Sequence, residues 1–269
     1  MPEVAPRQLI LSLYGLYARA EGAWLSVAWL IALMAELGVD GAAVRSSVSR
    51  LKRRGVLEAV RKDGRAGYAL SDDALELLRE GDVRIWSRPR ATSADGWLVV
   101  VFSVPESERE RRHALRSTLT RLGFGTAAPG VWVAPGTAFD ETVHALRRQG
   151  LASYTEFFRG DYLGSGEVGT RMREWWDLDQ LEKLYDEFRA AWEPSLTWTD
   201  RPTPRDAFAT YVPMLTAWRR LPYLDPGLPL ELLPRDWTGI RAGEVFAALD
   251  QRLRDRAAEF ALSIVHGAS

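Results

Sequence analysis

The chain has 269 residues, 46% hydrophobic and 26% charged, with a net charge of −1, a length that leads us to expect two or three domains. It has no cysteine, which excludes disulfides, thiolate metal sites and thiol nucleophiles and fits a reducing cytoplasm. No apolar run reaches the ~20 residues of a membrane span, and the opening MPEVAPRQLI lacks a basic stretch ahead of an apolar core, so neither a membrane anchor nor a secretory signal is expected.

The first segment, residues 1–90, begins with RQLILSLYGLYARAEG, where Leu9, Leu13, Leu16 and Tyr17 recur at helical spacing before Gly22. SVAWLIALMAELG follows, with Ser26 placed to cap a second helix and Gly38 to close it. Asp40 is placed to cap a third, AAVRSSVSRLKRRG, in which Val44, Val48 and Leu51 form one stripe. Arg45, Ser46, Ser49, Arg50 and Arg53 fall on the opposite face, with Arg54 at the end. VLEAV and GYALS then read as a hairpin around the tip RKDGRA, with Asp63-Gly64 as its turn, and Ser71 opens a further helix over SDDALELLREG.

That order, helix, helix, basic helix, hairpin, helix, is the order of a winged helix-turn-helix. Residues 41–65 hold eight cations against Glu58 and Asp63, a local excess of six, so the rest of the chain carries −7. The near-neutral total therefore hides a cationic patch. Its apolar stripe would seat the helix on its neighbours and leave the other face for a major groove. Arginines there would meet phosphates or base edges, and short serine hydroxyls would allow close approach. Arg61, Lys62 and Arg65 at the hairpin tip would add backbone or minor-groove contacts.

Residues 91–165 read as strand (GWLVVVFSVP), helix (ERERRHALRSTLTRLG), a turn with at least one short strand (FGTAAPGVWVAP), helix (FDETVHALRRQG) and strand (ASYTEFFRGDYL). This is the βαββαβ order of a ferredoxin-like domain; such a fold hosts many functions, and a scaffold or dimerisation role is the expectation here. GSGEVG (164–169) satisfies a dinucleotide fingerprint but is followed by TRMREWWDLDQLEKLYDEFRAAW, which is helical, so a linker is expected. Residues 166–269 are expected to be mainly helical, with a possible bend at Pro213 and an ordered loop over PYLDPGLPLELLP. Six of the eleven tryptophans lie here, most expected to be structural. Trp218, Arg219, Arg220 and Tyr223 are the candidates for holding an acidic, partly apolar effector, although the arginines have an alternative in salt bridges to Asp225 or Glu231. His113, His144 and His266 are widely separated and no carboxylates stand out as a pair. No catalytic residue, metal or cofactor is therefore expected.

The chain resembles the PaaX family, named for a phenylacetate-degradation repressor. The resemblance is carried by AAVRSSVSRLKRRGVLE with GRAGYALS, by RLGFGTAAPGVWVAP, and most specifically by WRRLPYLDPGLPLELLPRDWTG. It implies an α+β protein with an N-terminal winged helix-turn-helix, a central ferredoxin-like domain and a mainly helical C-terminal domain. It further implies a cytoplasmic homodimer that binds a double-stranded, inverted-repeat DNA operator and acts as a repressor relieved by an acyl-CoA effector such as phenylacetyl-CoA. Carried over residue by residue, it puts Arg45, Ser46, Ser49, Arg50 and Arg53 at the DNA. The central segment also resembles small CRISPR-associated nucleases, which carry an acidic metal ligand at the end of their first strand. Here that place is taken by Ser103, with no carboxylate before Glu106, which argues against a metal-dependent nuclease. An acyl-CoA-handling enzyme is the other alternative.

Overall fold

Pro6 opens α1 (Pro6–Leu13) in its first turn, where a missing N–H leaves no hydrogen bond unmade. The structure, a computed structural model, describes residues 4–86, 90–164, 167–198 and 201–267. After α1 the chain stays helical through a π turn over Tyr14–Ala18 and a 3-10 turn over Arg19–Glu21. The expected first helix is thus one run with two changes of pitch. β1 (Trp24–Ser26) follows, then α2 (Val27–Glu36), whose cap Ser26 accepts from the Trp29 N–H at 3.1 Å. Asp40 caps α3 (Gly41–Arg53), its Oδ1 accepting from the N–H groups of Ala42 (2.8 Å) and Ala43 (2.9 Å).

β2 (Leu57–Lys62) and β3 (Arg65–Leu70) form the expected hairpin. Asp63 and Gly64 both have positive φ, 50° and 74°, as a two-residue type I′ turn demands. β1 pairs with β3 to give the antiparallel order β1-β3-β2. Ser71 accepts from the Ala74 N–H at 3.3 Å and leads into α4 (Asp72–Trp86). This helix runs past Gly81, the last residue of the segment read as helical, to Trp86. Gly81 is buried, so a missing side chain is accommodated inside the helix rather than used to end it.

A second sheet is built from β4 (Trp97–Phe102), β5 (Gly125–Ala128), β6 (Val131–Pro135) and β7 (Thr155–Gly160). Between them lie α5 (Arg109–Arg121) and α6 (Phe139–Arg148). The order of elements is the one expected, the turn region holding the two strands β5 and β6. The sheet order is β5-β6-β4-β7 and all neighbours are antiparallel. Leu98 and Val100, two apart on β4, join Leu115 and Leu119 of α5 and Leu146 of α6 in one core, as a period of two on a strand and four on a helix require.

The long helix expected after position 170 is two: α7 (Val168–Trp175) and α8 (Leu178–Trp192). Trp176 is extended (φ −126°, ψ 144°) and breaks the run. Its buried indole N–H donates to the Gly123 carbonyl at 2.8 Å, a long-range bond that fixes the break. Ser165 and Gly166 of GSGEVG lie outside the described residues. Thr203 caps α9 (Pro204–Trp218), which contains Pro213. The expected loop contains a short α10 (Leu221–Leu224) and a 3-10 turn over Leu230–Leu232, and α11 (Thr238–His266) closes the chain. Among the described residues no helix is long and apolar enough to cross a membrane.

The residues group into two compact units. One comprises Met1–Trp86, Glu187–Arg219 and Ile240–Ser269, and the other Ser87–Asp186 and Arg220–Gly239. In the first, Leu13, Tyr14, Leu33, Phe208, Tyr211 and Leu249 are fully enclosed. In the second, the buried Asp225 is enclosed by donors: Arg90 Nη2 and Tyr185 Oη to Oδ2, each at 2.7 Å, and the Gly227 N–H to Oδ1 at 2.7 Å. Four tryptophans of the last segment, Trp176, Trp192, Trp218 and Trp237, are buried, in keeping with a structural role.

Candidate nucleic-acid interface

α3 buries one side and presents the other. Val44, Ser47, Val48 and Leu51 are enclosed against α1 and α2. Arg45, Ser46, Ser49, Arg50, Lys52, Arg53 and Arg54 are all exposed. The wheel drawn from the sequence is therefore the wheel observed, with Ser47 as an added buried member.

The hairpin completes the surface. Arg61, Lys62 and Arg65 are exposed at its tip. Lys62 lies directly opposite Arg65 in the strand register, and like charges so placed repel. Arg61 Nη2 reaches the Gly64 carbonyl at 3.5 Å. Among the described residues, Arg45, Arg50, Arg53, Arg54, Arg61 and Lys62 make no ion pair with an acid. Elsewhere in the same unit several cations are matched: Arg19 with Asp82, Arg205 with Glu36, Arg241 with Glu193 and Arg254 with Asp250. Six clustered cations are thus left for an outside anion in this patch.

Two supports were not visible in the sequence. The Arg65 guanidinium lies 5.4 Å from the centroid of the Trp29 ring, and the Lys52 ammonium 5.8 Å from that of Tyr68. Each aromatic face holds a cation in place. They belong to other elements, so no local spacing signals them. The hairpin itself is anchored at Gly67, where a Cβ would stand 2.4 Å from the Leu25 carbonyl oxygen and 2.4 Å from the Trp24 ring. Only glycine admits so close an approach. Trp24 Nε1 donates to the Val60 carbonyl at 3.2 Å, and Tyr14 Oη to the Tyr68 carbonyl at 2.9 Å. Burial pushes the Tyr14 hydroxyl well above its ordinary pKa, with nearby Tyr68 adding to the shift.

The four residues read as effector candidates are distributed over both units. Trp218 is buried, stacked on Phe246 with centroids 4.5 Å apart, and donates through Nε1 to the Ile85 carbonyl at 3.3 Å. Arg219 Nη2 donates to the Gln8 carbonyl at 3.1 Å. Arg220 is exposed and Tyr223 half-buried in the second unit. Asp225 is held by Arg90 and Tyr185, and Glu231 accepts from the Ser93 N–H (2.8 Å) and hydroxyl (2.7 Å). Beyond β4, Ser103 is exposed, and Glu106 pairs with Arg109 and Arg112.

Known proteins match this chain along nearly all its length. Residues 5–74 match a family model described as PaaX-like protein, residues 90–170 the PaaX protein central Cas2-like domain, and residues 176–263 the PaaX-like protein C-terminal domain. The chain is 28% identical over 264 residues to the transcriptional repressor PaaX of Escherichia coli (strain K12), covering 96% of this chain and 83% of that protein. Its fold is similar to that of the uncharacterized protein Rv0674 from Mycobacterium tuberculosis, with a TM-score of 0.60 and 23% identity over 93% of this chain and 96% of that one. With three consecutive matches to one family and a repressor of that family alongside nearly its whole length, the chain belongs to the PaaX family.

Proposed function

We propose that this chain is a DNA-binding transcriptional repressor whose α3 enters a major groove while the β2–β3 hairpin lies along the adjacent backbone. The observation that carries this reading is the set of exposed cations without an acidic partner among the described residues, Arg45, Arg50, Arg53 and Arg54 on α3 with Arg61 and Lys62 on the hairpin. The similarity to a transcriptional repressor supports it. In this reading residues 1–90 are a winged helix-turn-helix, residues 91–165 a ferredoxin-like scaffold, and residues 166–269 a helical domain for the effector. The strand order β5-β6-β4-β7 supports the second assignment.

The protein acts in the cytoplasm as a homodimer on an inverted repeat, with half-sites spaced near a multiple of one helical turn, ~34–36 Å. An acyl-CoA thioester such as phenylacetyl-CoA releases it from DNA. The test is fluorescence anisotropy on the DNA upstream of the protein's own gene, with and without phenylacetyl-CoA. Tight binding relieved by the thioester is expected. Tight binding indifferent to it would remove the effector from the proposal, and absence of specific binding there would count against the repressor reading.

A further inference from the structure

On the second compact unit a cavity of about 550 Å³ opens where the end of β4, the β5–β6 turn and α5 meet. Two aromatic rings, Phe102 and Trp132, line it together with the hydroxyl residues Ser103 and Thr126. Its charged lining residues are Arg112 and Arg116, and no acid is among them. The two arginines stand one helical turn apart on α5, so they share a face.

Their situations differ in a useful way. Arg112 is tied down, donating through Nη2 to the Val104 carbonyl at 2.8 Å and through Nη1 to Glu106 at 2.9 Å. Arg116 makes no hydrogen bond or ion pair among the described residues. One guanidinium is thus held in place and the other is available. A free guanidinium matches the planar, two-oxygen geometry of a carboxylate, sulfonate or phosphate. The Trp132 ring, which belongs to the buried core of this unit, gives a rigid apolar surface beside it. The volume lies within the ~300–1,000 Å³ of small-molecule sites.

We propose that this cavity is a binding site for a small organic anion, with a flat apolar body against Phe102 and Trp132 and its charged head on Arg116. None of Trp218, Arg219, Arg220 and Tyr223 lines it, so it is a ligand site additional to the effector region considered above. The site makes no use of DNA. A failure here is therefore separate from a failure of the repressor reading.

The probe is 8-anilinonaphthalene-1-sulfonate, an aromatic sulfonate whose fluorescence rises in apolar surroundings, titrated into the full-length protein. Saturable binding of one probe per chain is expected. Arg116→Gln weakens it about tenfold and Arg116→Glu about a hundredfold, the range spanned by losing one charge-assisted contact and by adding repulsion. Arg121→Glu makes the same charge reversal on the same helix outside the cavity and leaves the affinity unchanged. Because Arg116 is exposed and has no partner to lose, both variants melt like the wild type. Absence of saturable binding, or equal affinity in the wild type and folded Arg116→Glu, overturns the proposal.

Discussion

Reversing Arg50 and Arg53 to glutamate separates binding from folding. Both side chains are exposed on α3 and neither is ion-paired among the described residues. Each substitution therefore shifts stability by no more than about 0.5 kcal/mol. On DNA the consequences are large. The local excess of six positive charges over residues 41–65 falls to two. Each lost contact costs about 1–3 kcal/mol, so the pair costs about 2–6 kcal/mol, or roughly 30-fold to 10⁴-fold in affinity. Each phosphate-neutralising cation contributes about 0.9 to the slope of log K against log salt. The double variant should accordingly show a slope shallower by about 2 per protomer. Anisotropy titrations between about 50 and 200 mM salt read both quantities. Arg205→Glu is the control, because it reverses an exposed charge on the same unit outside the patch. Breaking its exposed pair with Glu36 costs at most about 1 kcal/mol of stability and leaves DNA affinity close to wild type. A folded double variant with wild-type affinity and wild-type slope would refute the assignment of α3.

Further outcomes follow from contacts inside each unit. Gly67→Ala places a Cβ 2.4 Å from the Leu25 carbonyl oxygen, so it should destabilise by about 1–3 kcal/mol in urea unfolding and weaken DNA binding by displacing the hairpin. Asp225→Ala removes the acceptor shared by Arg90, Tyr185 and the Gly227 N–H, and should cost about 3–5 kcal/mol in the same assay while leaving α3 untouched. Tyr14 has its hydroxyl pKa raised above the ordinary 10.0, first by burial. Its contribution is complete below pH 10 and is lost as pH rises through the folded-state value, because the unfolded chain ionises first. Tyr14→Phe should cost about 1 kcal/mol near neutrality by removing the bond to the Tyr68 carbonyl and should flatten the fall in stability above pH 10 in thermal melts.

Local chemistry made much of the first unit legible in the sequence. Caps at Ser26, Asp40 and Ser71, the Asp63-Gly64 turn and the Val44-Val48-Leu51 stripe each depend on residues within a few positions of one another. The exposure of the basic face follows from the same stripe. Features that rest on distant partners were hidden. β1 is three residues long and exists because β3 pairs with it. The break at Trp176 is fixed by Gly123, and the buried Asp225 by Arg90 and Tyr185. Arg65 on Trp29 and Lys52 on Tyr68 join different elements. The arginine-lined cavity draws on residues from Phe102 to Trp132 with no shared period.

Selection of binding sites from a pool of random duplex DNA tests the central claim most directly, since it presumes neither the operator nor the effector. The account predicts enrichment of one inverted repeat with half-sites near a multiple of ~34–36 Å apart, and loss of that enrichment in the Arg50→Glu/Arg53→Glu variant. Retention of random sequences at low salt, with no motif emerging, would contradict it.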